Sequence, residues 1–155
     1  MAGQAPRLSP KAAGAVLALA AGIVAMWEGY RPTPYRDVIG VPTVCYGHAH
    51  DVEDRTYTRA ECKALLEGDL AQAYATVRRC ITWPLKDYEA AALTSATYNI
   101  GPAVVCGSTL QTLANRGDMT GACNQLMRWN RAGGREVLGL TRRRAAERAM
   151  CLGET

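Results

Sequence analysis

The chain has 155 residues, 48% of them apolar, no low-complexity tract and a formal net charge of only +4. That is enough for one globular domain with two lobes and a sizeable core, too little for a second enzyme, and too apolar for a disordered polyelectrolyte. Six cysteines suit an oxidising compartment, and no CxxC or clustered Cys/His spacing supports zinc.

Residues 1 to 11 carry Arg7 and Lys11 and no acid, and residues 12 to 27 carry no charge at all. Sixteen residues fall short of the roughly 20 of a standard membrane helix, and Ala and Gly make the run only weakly apolar. Three readings fit: a cleaved signal peptide with Ala18-Leu19-Ala20 as its small-x-small site, a buried core helix, or a weak membrane anchor that can leave the bilayer. The basic residues before the run place its far end outside the cytoplasm. The run ends against Glu28, so a membrane-held helix pins that carboxyl at the lipid boundary.

From Trp27 to His48 the sequence WEGYRPTPYRDVIGVPTVCYGH turns through Gly29, Pro32, Pro34, Gly40 and Pro42. Residues 37 to 50 alternate β-favouring residues with turn formers, which predicts a short hairpin there. Asp51 to Arg55 is a polar loop. Thr58 and Glu61 form a capping box, after which Cys62, Leu65, Leu66, Leu70, Ala73, Val77 and Cys80 recur at helical spacing to about Ile81, long enough to bridge two lobes. Pro84 ends that unit. Lys86 to Asn99 predicts an Ala-rich core helix stopped by Gly101-Pro102. Ser108 and Gln111 form a second capping box for a helix to about Asn115. Asp118 caps the next helix, with Ala122, Cys123, Leu126 and Trp129 facing inward. Gly133-Gly134 is a flexible turn, and Thr141 caps an Arg-rich last helix toward Cys151. Trp83 and Trp129 each abut an apolar stretch and are assigned to the core. The predicted proximity of these elements pairs Cys45 with Cys62, Cys80 with Cys106 and Cys123 with Cys151.

Glu28 lies nine residues before Asp37, and Thr43 six after it. A helix ending near Glu28, a chain reversal and a hairpin bring two carboxylates and a hydroxyl across a cleft. Glycoside hydrolysis needs that arrangement: one carboxylic acid protonates the leaving oxygen while an opposed carboxylate activates water or attacks. Spacing alone fits solvated surface acids equally well. The whole pattern is more specific. It comprises Glu28-Gly29, Asp37, Thr43 and Tyr46-Gly47-His48, then Tyr57-Thr58-Arg59-Ala60-Glu61-Cys62-Lys63, Tyr98-Asn99-Ile100-Gly101, Ser108-Thr109-Leu110, Gly121-Ala122-Cys123, and Arg128-Trp129 to Gly133-Gly134. Over residues 27 to 152 it resembles the T-even phage lysozymes and related family 24 glycoside hydrolases, above all the signal-arrest-release endolysins of lambdoid phages.

The resemblance implies an α+β, mostly helical, two-lobed lysozyme fold with a small β-element in the N-terminal lobe and a helical C-terminal lobe. Residues 1 to 27 are then an export or anchor segment and residues 28 to 155 the catalytic domain. It implies hydrolysis of peptidoglycan between N-acetylmuramic acid and N-acetylglucosamine. Glu28 is then the general acid, Asp37 the base or nucleophile, and Thr43 the holder of the water. Asn99 lines the cleft, His48 pairs with Asp69, and an Arg of the last helix, Arg144 or failing that Arg143, lies against Glu28. No metal or cofactor is implied. The partners are bacterial peptidoglycan and, through residues 12 to 27, the host inner membrane, with the N-terminus cytoplasmic and the enzyme periplasmic after release. A monomer is expected. Arginines at 128, 131, 135, 142, 143, 144 and 148 face only Glu136 and Glu147, yet no nucleic-acid recognition motif accompanies them. A membrane-tethered wall-binding protein, or a cationic membrane-disrupting one, is the alternative without hydrolase activity; an inactive lysozyme scaffold would have lost one of the three site residues, and all are present.

Overall fold

The computed structural model describes residues 10 to 154, so the basic leader with Arg7 lies outside the described residues. Helix α1 (Pro10–Glu28) leads into a two-stranded antiparallel ribbon, β1 (Arg31–Arg36) and β2 (Pro42–Cys45), and α2 (Arg59–Cys80) carries the chain from that small lobe into a helical one. There follow α3 (Asp87–Ile100), α4 (Thr109–Asn115), α5 (Met119–Gln125), a miniature ribbon of β3 (Arg131–Ala132) and β4 (Arg135–Glu136), and α6 (Leu138–Cys151).

The larger core is built around α3. Every residue from Glu89 to Thr97 is buried. Ala90, Ala91, Ala92, Thr94, Ser95 and Ala96 keep this helix thin, so that α1, α2 and α6 all close upon it. Helix α1 contributes Val16, Ala20, Ile23 and Val24, which the helical period places on one face, while Leu19 and Met26 point to solvent. Of the three readings of residues 12 to 27, the packed core helix is the state this structure holds. A smaller core of Val44, Cys45, Tyr57 and Cys62 supports the ribbon lobe.

Helix α2 joins the two cores and is fixed at both ends. At its start Thr58 Oγ1 accepts from the Glu61 amide (3.1 Å) and the Glu61 carboxylate accepts from the Thr58 amide (2.7 Å), a complete capping box. At its end the Cys80 carbonyl accepts from the side-chain amides of Gln111 and Asn115, both at 3.0 Å, which satisfies a carbonyl that the helix itself leaves free. The three disulfides have the expected pairing, with Cα separations of 5.0 Å for Cys45–Cys62, 5.3 Å for Cys80–Cys106 and 5.7 Å for Cys123–Cys151. The first clamps the ribbon to α2 at Cys45, whose φ of 65° is unusual for a side-chain-bearing residue.

Several boundaries differ from expectation. The hairpin starts earlier than residue 37: Arg31–Arg36 is its first strand and Asp37 sits in the connecting turn, while the second strand, Pro42–Cys45, lies within the expected 37 to 50. The two prolines of RPTPYR suggested a turn, but a two-stranded ribbon has an open edge that tolerates missing N–H donors, and the register shifts between Arg31 and Tyr35. Thr141 does not cap the last helix. That helix starts a turn sooner, after Val137, and Thr141 Oγ1 instead accepts from Asn130 Nδ2 at 3.1 Å. Ser108 caps α4, but Gln111 turns to the Gly107 amide at 2.6 Å and leaves that box half made. Gly133-Gly134 lies between the miniature strands, and Trp129 follows a short 3₁₀ turn rather than riding on α5. Trp83 is 43% exposed and lies across Gly117, where an added Cβ would come within 2.7 Å of the indole.

The central position of α3 yields a stability test. Leu93→Ala should cost about 2–5 kcal/mol in denaturant unfolding with the disulfides intact. Leu138→Ala, at a side chain 64% exposed, should stay within about 0.5 kcal/mol.

Candidate active site

Glu28 is the last residue of α1, and Gly29, at φ 69°, turns the chain into β1. Its carboxylate lies 2.6 Å from Arg143 Nη1 on α6, with the two side chains 23% and 6% exposed. Gly47 closes over the other carboxylate oxygen. A Cβ at Gly47 would stand 3.2 Å from Glu28 Oε2 and 3.4 Å from the Tyr98 hydroxyl. That hydroxyl donates to the Tyr46 carbonyl at 2.7 Å and so ties α3 to the chain beside Glu28. Burial, and then the carboxylates of Asp69 and Glu28, raise the Tyr98 pKa far above that of a free phenol, so it remains a donor.

Asp37 is held by the turn it makes. One carboxylate oxygen accepts from the amides of Ile39 (3.0 Å) and Val41 (2.8 Å), while its own backbone pairs with Gly40 and Val41. The other oxygen is left for the cleft. Thr43 is 5% exposed, and its hydroxyl donates to the Val41 carbonyl at 2.9 Å. With its single proton committed there, the oxygen can only accept, which is what a water donating from the cleft requires.

His48 Nδ1 lies 2.7 Å from Asp69 Oδ2, a contact that fastens the end of the ribbon to α2. Asn99, at the end of α3, accepts from Arg144 Nη2 at 2.8 Å, which orients the amide and leaves its NH₂ end for the cleft. Glu28, Asp37, Thr43, Asp69 and Asn99 line one cleft of about 590 Å³, together with Tyr35, Gly47, His50, Gln72 and Tyr98. Carboxylates at two walls, an acceptor hydroxyl and a polar lining suit protonation of a leaving oxygen and delivery of water.

Residues 25–147 match the family described as phage lysozyme. The chain belongs to that family. It is therefore a glycoside hydrolase. The SAR-endolysin of bacteriophage PS119 is 46% identical to it over 127 residues, 81% of this chain and 76% of that protein. The active form of the P1 phage endolysin Lyz shares the fold with a TM-score of 0.81 at 22% identity, covering 94% of each chain. The secreted inactive form of that endolysin reaches 0.55 at 20% identity, covering 95% of this chain and 96% of that one. The fold of the present lysozyme thus follows the first arrangement more closely than the second.

In this lysozyme Glu28, Asp37, Thr43, Asp69 and Asn99 line the cleft, His48 reaches it only through Asp69, and the arginine is reassigned. Arg144 does not meet Glu28; Arg143 does. Adjacent residues on a helix diverge by about 100°, so Arg143 reaches Glu28 while Arg144 turns to Asn99 and to the Glu147 carboxylate, with which it makes two hydrogen bonds. Gly47, Tyr98 and Glu147 were not singled out from sequence. The first two stood inside motifs already recognised, and Glu147 lies three and four residues beyond two arginines, the spacing of ion pairs on a helix.

Gly47 is the sharpest steric constraint on Glu28. Gly47→Ala must place a side chain at φ 89° against the carboxylate. Turnover should drop at least about tenfold, since a displacement of about 1 Å at a reacting group has large effects, and the circular dichroism spectrum should stay near wild type.

Proposed function

We propose that this phage lysozyme, of the T-even, family 24 type, hydrolyses the glycan strands of bacterial peptidoglycan between N-acetylmuramic acid and N-acetylglucosamine. Glu28 protonates the glycosidic oxygen, Asp37 supports the positive charge developing at the anomeric carbon and serves as base or nucleophile, and Thr43 holds the attacking water. Asn99 contacts the sugar through its free NH₂, while the His48–Asp69 pair holds the wall that carries Thr43. The observation that carries this reading is the convergence of Glu28, Asp37 and Thr43 on one cleft from three separate pieces of backbone. Glu28→Gln should lower the release of reducing ends from purified peptidoglycan at least about a hundredfold, the usual scale of a general acid. The amide keeps the size and the contact to Arg143 but has no proton to give. A variant retaining a tenth of wild-type turnover with an unchanged spectrum contradicts the assignment.

The same chain acts, in our reading, as an endolysin whose first segment leads two lives: residues 1 to 27 serve as an anchor in the host inner membrane, N-terminus in the cytoplasm, and α1, from Pro10 on, is later a docked helix of the periplasmic enzyme. Lys11–Glu28 is long and apolar enough to span a bilayer, with a mean hydropathy of 1.4, and the SAR-endolysin relative supports this use. Gly14 and Gly22 both lie on the exposed side of docked α1 with open space beyond them. Leu at these positions leaves docking undisturbed, whereas each Leu near the centre of an inserted helix favours the membrane by roughly 0.3–0.6 kcal/mol. Cells expressing Gly14→Leu/Gly22→Leu should lyse late, while the solubilised variant digests peptidoglycan at the wild-type rate. Lysis on schedule, or a periplasmic protein that begins at Ala21, points instead to the cleaved signal.

A further inference from the structure

The buried charges behind Glu28 form a set that its own chemistry does not require. Arg143 bridges two carboxylates: Nη1 lies 2.6 Å from Glu28 Oε1, and Nε lies 3.5 Å from Glu147 Oε1. The second contact is an ion pair without good hydrogen-bond geometry. Arg143 Nε and Nη2 are buried donors with no acceptor, and Glu147 Oε2 is a buried acceptor with no donor. An Arg143–Glu147 hydrogen bond is thus left unmade while both groups are in reach of each other.

A general acid must alternate between carboxyl and carboxylate. Arg143 is only 6% exposed, so protonating Glu28 would strip a buried guanidinium of its counter-charge if Glu28 were its sole partner. We infer that Glu147 is a positioning residue for Glu28: it supplies Arg143 with a standing counter-charge and a spare acceptor, so that Glu28 gains and loses its proton without leaving a buried cation unpaired. Burial raises Glu147 above the usual carboxylate range and the guanidiniums of Arg144 and Arg143 oppose this; the two hydrogen bonds it accepts from Arg144 on one oxygen are those of a carboxylate. The other groups facing Glu28 are the Tyr98 hydroxyl on α3, Asp69 on α2 with its partner His48, and, across the cleft, Tyr35 on β1 and Asp37 in the turn.

This inference rests on Glu28 being the acid, and the pH dependence of turnover tests it. With the charge of Glu147 gone, two buried arginines hold Glu28 as carboxylate. Glu147→Gln should therefore move the alkaline limb of kcat/KM down by about one pH unit, lowering turnover at pH 8 about tenfold and leaving that at pH 5 within about twofold. Arg144→Met removes a cation instead and should move the limb up, so it also carries the test should Glu147→Gln fail to fold. A merely structural ion pair would scale the profile without moving it. Limbs that stay in place, or that move the same way in both variants, overturn the role of Glu147. If Glu28→Gln stays active, the limb reports another group and the inference falls with the acid assignment; if Glu28→Gln is inactive and the limbs do not move, only the role of Glu147 falls.

Discussion

The ion pair between Glu28 and Arg143 joins the last residue of α1 to the last long helix, and the cleft depends on both being in place. Neither partner is free to wander. Glu28 follows a helix whose buried face, Val16, Ala20, Ile23 and Val24, fixes its rotation and depth, so the carboxylate arrives at the cleft through packing rather than through a loop. Arg143 Nε lies 3.5 Å from the Glu147 carboxylate, which two hydrogen bonds from Arg144 on the same helix fix in place. Removing the apolar face of α1 from its seat would therefore move the reacting group itself, which couples the fold directly to activity.

The seat is α3. A helix of ordinary residues would keep its neighbours about 8–10 Å away, whereas alanines, serine and threonines on every side of α3 permit α1, α2 and α6 to approach together. The composition that makes α3 a poor source of hydrophobic area makes it a good hub. The disulfides join elements around this seat: they fasten the ribbon to α2, the end of α2 to the segment after α3, and α5 to α6. The small lobe, with few buried residues of its own, gains most from such a constraint, because a cross-link removes freedom from the unfolded chain.

Much of this was legible in the residues. The Thr58/Glu61 box set the start of α2 correctly because capping is local chemistry, readable from residues three apart. The convergence of Glu28, Asp37 and Thr43 was legible through the pattern of the whole segment. The strand boundaries were not, because Pro32 and Pro34 signal a turn in isolation and an open ribbon edge only in context. The choice between Arg143 and Arg144 depended on the rotational phase of α6, and Thr141 gave a false start to that helix. A contact such as Gly47 against Glu28 depends on three segments meeting, and sequence shows only that a glycine is present. For residues 12 to 27, weak apolarity fits a bilayer and a protein core alike, so composition could not choose between them.

In the working enzyme α1 is a seated part of the core. Amide hydrogen exchange on the detergent-free, active protein measures that directly. The amides of Val16, Ala20 and Val24 should be protected to an extent comparable with those of Ala91 to Leu93 on α3, since both helices share one core. Exchange of α1 at the rate of an unstructured peptide, in a sample that digests peptidoglycan at full speed, would contradict the central claim.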